Sequence, residues 1–242
     1  MATVAAVMAL GFTAACGGAS SEDADKTDKA KQEGASKPPA APAPESPAKG
    51  SANGGRTLSE QELDKAALSE GDAKGFAVTT LADAPPGGEK AGKAECRPLT
   101  AVISGTPEPA ASATVYRQLT AKGKAGQTVI TEFLTAHQQK DAAKVLEDLR
   151  AAVKACAAGF TAQGEDGPSK YSAVKELPAP KAGDDVLAYQ VTGDYEGESV
   201  PLVFHLMRSG STIATFYTAN LVDAKTPEIP AALVMAQADK LK

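Results

Sequence analysis

The 242-residue chain has no Trp, two His and three Cys, and Phe and Tyr bring the aromatic share to only 5%. It also lacks Gly-x-Ser-x-Gly, His-Glu-x-x-His, a phosphate loop and a dinucleotide fingerprint, so common hydrolase, zinc and nucleotide mechanisms are missing their parts. Ser-x-x-Lys occurs twice, at Ser46–Lys49 and Ser172–Lys175. The companion Ser-Asp-Asn and Lys-Thr-Gly motifs of penicillin-recognising enzymes are absent, and chance alone accounts for such matches. His137 ends an expected strand, while His205 shares a strand face with Val203 and Met207, so both imidazoles read as structural rather than as metal ligands or a catalytic base. The chain therefore reads as no enzyme, with no cofactor and no metal. No basic block or basic-aromatic interleaving occurs, and the formal charge is −5. A nucleic-acid partner lacks electrostatic support.

Charge is missing altogether from residues 1 to 15, MATVAAVMALGFTAA, an apolar run that ends in small residues directly before Cys16. This is the pattern of a secretory signal peptide, too short to remain as a membrane span. Such leaders open on Lys or Arg, and the reading here is a true start upstream of Met1. Thr13-Ala14-Ala15-Cys16 resembles the lipobox of bacterial lipoproteins, with Thr13 where Leu is usual. Cys16 is accordingly expected to carry the lipid, and paired acyl chains give stable anchoring at about 0.8 kcal/mol per buried methylene. The expected location is the extracytoplasmic face of the cell membrane.

Between Gly17 and Thr57 there is no Leu, Ile, Val, Met or aromatic residue, while Pro, Ala, Ser, Gly and Lys abound. Such a segment buries too little apolar surface to offset its conformational entropy. Residues 16–57 read as a lipidated disordered tether with a root-mean-square reach of about 35 Å. Residues 58–242 fall in the size range of one domain with one sizeable core.

Within that domain, Ser59 with Glu62 forms a capping box flanked by Leu58 and Leu63, which starts a helix running to about Ser69. Residues 75–81 alternate as a short strand, and Pro85-Pro86-Gly87-Gly88 breaks the chain. Cys96 opens a short helix through Ile103. Strands over 115–121 and 128–136 make a hairpin around the turn at 122–126. Apolar residues at 142, 145, 146, 149, 152, 153 and 156 follow the spacing of an amphipathic helix, which Gly159 stops. Lys144 and Asp148 pair on its polar side. A polar connection follows, with one strand around Ser172–Lys175, and then a meander over 186–195, 200–208 and 212–221. A last helix spans 229–241. Helices interspersed with hairpins and no βαβ alternation imply an α+β domain, an antiparallel sheet with helices packed on one face.

With Cys16 assigned to lipid, Cys96 and Cys156 are an even pair in an oxidising compartment and are expected to be bridged. The carboxylates Asp184 and Asp185, and Asp194 with Glu196 and Glu198, lack the alternating ligand loop of a calcium site and read as solvated turn residues. Tyr189, Tyr195, Phe204, Phe216 and Tyr217 line either a pocket or simply the core.

The succession of Cys96-Arg97-Pro98-Leu99, helical Leu149 to Cys156, Gly183-Asp184-Asp185 before a strand, and Val203 to Phe216 around Arg208-Ser209-Gly210 resembles the PknH-like extracellular sensor domains of actinobacterial kinases and lipoproteins. That family usually has a Trp near the second helical Cys and a second disulfide, neither of which this chain can supply. The resemblance implies a sheet and helices around a cleft for a small ligand, in a non-catalytic module, and carries over Cys96 and Cys156 as a structural bridge. The reading is a lipid-anchored ligand-binding or sensor-like domain, with a small molecule or an envelope protein as its partner. The alternatives are a passive envelope interaction module and an unrecognised enzyme.

The anchor is testable through one residue. Cys16→Ser should shift the protein from the membrane pellet to the soluble fraction after carbonate washing, and a variant that still pellets would remove Cys16 as the attachment point.

Overall fold

The computed structural model describes residues 55–82, 88–123, 128–165 and 167–242. The signal peptide, Cys16, almost all of the tether with Ser46–Lys49, and parts of the loops around Pro85 and Lys124 lie outside the described residues. Helix α1 (Glu60–Ala66) starts as its capping box requires: Ser59 Oγ accepts from the Glu62 amide, and the Ser59 amide donates to Glu62 Oε2 at 2.9 Å. It stops three residues before the expected end, because Ala67 turns extended and sends Leu68 into the interior.

Strands β1 (Phe76–Leu81) and β2 (Lys90–Ala91) come next, then a 3-10 turn at Ala94–Cys96 that runs into α2 (Arg97–Ile103). The hairpin β3 (Ala113–Ala121) and β4 (Val129–Ala136) leads to the long α3 (Gln139–Ala155). Five strands follow: β5 (Phe160–Gly164), β6 (Gly167–Leu177), β7 (Asp185–Tyr195), β8 (Glu198–Ser209) and β9 (Thr212–Ala219). Helix α4 (Ala231–Lys240) is the last element. The strands form one antiparallel sheet in the order β1-β3-β4-β9-β8-β7-β6-β5-β2.

The α+β class, the antiparallel sheet, the β3–β4 hairpin and the β7–β8–β9 meander are as the sequence implies. Two features differ. The stretch after α3, expected to be mainly a polar connection, holds the β5–β6 hairpin; only alternate residues of β5 are buried, so its apolar signal is thin. The helices, expected on one face, occupy both. Phe204, Leu206 and Ile213 pack with α2 and α3, whereas Val203, Met207 and Ala214 point the other way into a second cluster with α1 and α4. Successive strand residues face opposite sides, so the near-continuous apolar run of β8 demands cover on each.

On the first face, every apolar position predicted for α3 is buried. Cys96 and Cys156 are joined, with 6.0 Å between their Cα atoms and a sequence separation of 60. The bridge ties the entry of α2 to the exit of α3. Gly159 then turns the chain into β5 with φ of +89°; a Cβ there would sit 2.3 Å from the Tyr171 carbonyl oxygen, so the position admits only glycine.

The second face carries a polar seam. Glu132 on β4 is fully buried, opposite Arg117 on β3. Burial pushes its carboxyl up to about 8, partly offset by the Leu68 amide and the Arg117 guanidinium. Arg117 donates to Asp64 on α1 at 2.7 Å. Lys240 of α4 reaches Asp72 at 2.6 Å and, with Ser69, draws that carboxyl down to about 2.

Two outcomes follow. Removing the bridge with Cys96→Ala and Cys156→Ala together should lower stability by about 4 kcal/mol, the loop-closure value for 60 residues. Equilibrium denaturation that finds the double variant as stable as the parent would show that the bridge constrains nothing.

For Glu132 the folded value lies above the usual 4.5, so its contribution is full below 4.5 and is lost as pH rises through about 8. Glu132→Gln should abolish that loss. Subtracting the variant's profile from the parent's cancels His137 and His205, whose values burial pushes down and which act in the opposite sense. A flat difference between pH 4.5 and 8 would show that the carboxyl is not held neutral.

Candidate functional site

One extra residue in β6 creates the concavity on the α2 side of the sheet. Tyr171 pairs with Gly193 of β7 and Ala173 pairs with Thr192, so Ser172 is a bulge. Without it, Tyr171 and Val174 would face opposite sides; with it, both are buried in the same cluster. Phe160 of β5 stacks on the Tyr171 ring at 4.6 Å, and the same ring lies against Gly193 of β7.

Above this floor lies a cleft of about 670 Å³, within the range of small-molecule sites. Its apolar wall comes from Ile103 at the end of α2, Val200 and Leu202 of β8, and Leu221 beyond β9. The strand tips add Pro168, Lys170, Asp194 and Tyr195, with Glu165 at the β5–β6 turn.

The polar centre is Glu89, just ahead of β2. Its two oxygens accept from the Ser169 hydroxyl and, at 2.5 Å, from the Tyr171 hydroxyl. Burial, and the carboxylate that takes its hydrogen bond, push the Tyr171 phenol up, so it stays a donor. Ser169 and Tyr171 stand two apart on one strand face and thus meet one carboxylate together. Lys170 points to Asp194 at 3.8 Å, largely in solvent.

The groups singled out from sequence are not brought together here, Asp194 and Tyr195 excepted. Asp185 is gripped by Arg150, which lowers its carboxyl, and Asp184 accepts from Arg208 at 3.0 Å and from the Gly210 amide at 2.7 Å. Asp194 accepts from the Gly197 amide at 3.0 Å and so shapes the turn bearing Glu196 and Glu198. Among the described residues no cluster of His, Cys, Asp or Glu has the makings of a metal site.

His137 docks on Ser211 and His205 pairs with Phe216, five residues further along β9, or about 17 Å. Ser172 donates to the Thr192 carbonyl from an exposed strand position. It is not placed at a helix start, as a Ser-x-x-Lys nucleophile requires.

Of the five aromatics in question, Tyr189, Phe204 and Tyr217 stack on one another against the α3 face, at 5.2 and 4.9 Å, and Phe216 fills the other core. Only Tyr195 borders the cleft. The residues that organise it, Glu89, Ser169, Tyr171 and Gly193, belong to no sequence motif. The usable signal was the alternation of Phe160 and Ala162, then Ser169 and Tyr171, around glycines 164 and 167, which marks a hairpin.

No family model matches the chain. No curated protein matches it either. Among solved structures, the extracellular domain of PknH from Mycobacterium tuberculosis is similar, with a TM-score of 0.52 and 8% identity, over 78% of this chain and 97% of that one. At that identity the likeness is one of fold, and the fold is the one the sequence pattern resembles.

Proposed function

We propose that the chain is a lipoprotein anchored through Cys16 on the extracytoplasmic face of the membrane, whose α+β domain is a non-catalytic ligand-binding or sensor-like module. Residues 17–57 act as the tether. The observation that carries the binding half of this reading is the cleft of about 670 Å³ beside Ile103, which joins an apolar wall to one hydrogen-bonded carboxylate. That mixture of broad apolar contact with few convergent polar groups suits capture of a small molecule. The shared fold with an extracellular domain supports the location. Among the described residues no helix is long and apolar enough to cross a membrane.

A passive protein-interaction module is the second reading, favoured by Leu221 and Val222, 77% and 82% exposed beside the cleft.

Native mass spectrometry of the protein purified from its own membrane separates the two. The binding reading expects a sub-stoichiometric adduct of small-molecule mass that is lost on denaturation. A bare mass in gentle extraction conditions, together with co-purification of a protein partner that Leu221→Ser and Val222→Ser abolish, would overturn it in favour of the interaction module.

A further inference from the structure

Taking the cleft as a ligand site, we infer that its ligand is a small organic cation, an ammonium or amidinium group carried on an apolar body. Among the described residues three carboxylates line the space, Glu89, Glu165 and Asp194, against one cation, Lys170. Lys170 lies with Asp194, while neither Glu89 nor Glu165 is in an ion pair with a described residue. Among these residues the unbalanced charge is therefore negative, and Glu89 carries part of it beside the Ser169 and Tyr171 hydroxyls.

Glu89 is built to receive a donor. A carboxylate has about four lone-pair sites. The Ser169 and Tyr171 hydroxyls use one on each oxygen, which orients the group and leaves each oxygen able to accept again. An incoming anion would meet two oxygens whose nearest donors are already committed. A cation gains a charge-assisted hydrogen bond, shorter and stronger than a neutral one. Tyr195, 67% exposed, also borders the cleft, and an aromatic ring there adds to the attraction for a cation.

The apolar body is required by the opposite wall. Ile103, Val200 and Leu202 line it, and Leu221, largely bare to solvent, extends it outward. A bare inorganic cation would leave that surface wet. An alkyl or aryl chain several carbons long would cover it while its charged end reaches Glu89.

Calorimetric titration of the full chain with three probes tests this: hexylammonium, methylammonium and hexanoate. Hexylammonium, which keeps N–H donors for Glu89, should bind in the millimolar range or tighter, more weakly as salt is added. Methylammonium should bind at least tenfold more weakly, and hexanoate not measurably. Glu89→Gln should weaken hexylammonium about tenfold, and Leu221→Ser, on an exposed loop, should weaken it severalfold without affecting methylammonium. Thermal melts of both variants close to the parent's would exclude misfolding as the cause.

Equal or tighter binding of hexanoate, or a Glu89→Gln variant that folds and binds hexylammonium undiminished, overturns the assignment. Silence from all three probes also overturns it. The broader reading then stands or falls separately: a retained neutral or anionic adduct in native mass spectrometry would keep the cleft as a binding site while refuting its preference for cations.

Discussion

The central strands β4, β9 and β8 are buried on both faces, and the rest of the architecture answers that constraint. A strand half exposed to water needs one helical layer, whereas Val203, Phe204, Leu206 and Met207 in succession need two. The two layers are secured differently. On one face a covalent bridge fastens α2, a seven-residue helix too short to persist alone, to the much longer α3. On the other, α1 and α4 meet over Glu132, Arg117, Asp72 and Lys240, and Gln237 donates to the Ala66 carbonyl at 2.9 Å. Charge and hydrogen bonding there take the place of the cross-link.

Helices and the meander were legible because their signals are long and local. The i, i+3, i+4 spacing of α3 and the Ser59 capping box depend on a few neighbouring residues, and the structure reproduces both. The apolar run of β8 also held the two-sided burial, but a hydrophobic stretch is indistinguishable from a strand of one-sided burial when only the existence of a strand is sought. Hairpin β5–β6 was harder to see. Its outward residues are polar, its inward residues few, and a bulge breaks the period of two at Ser172.

The cleft was illegible for a related reason. Glu89 and Tyr171 lie 82 residues apart, and nothing local marks either as polar machinery. Acidic residues that did stand out, Asp184 and Asp185, turn out to hold Arg208 and Arg150 in place. Carboxylates close in sequence were partnered by arginines from elsewhere in the chain, while the exposed acceptor capacity came from a lone Glu in a loop. Aromatic residues behave the same way: the conspicuous ones on the meander build the core, and the one that orients the cleft comes from the inconspicuous hairpin.

Ser172 divides β6 into two halves that keep different time. From Val174 onward the strand is in phase with the α3 layer, and up to Tyr171 it is in phase with the Glu89 loop. Substituting a side chain in either half disturbs one partner, but removing a single residue between them would rotate Tyr171 and Ser169 away from Glu89 and strand both hydroxyls on the far side of the sheet. The composition of the cleft can therefore vary widely while the two residues between Tyr171 and Val174 must stay two in number, which makes chain length over that short interval as much a determinant of the cleft as the side chains that line it.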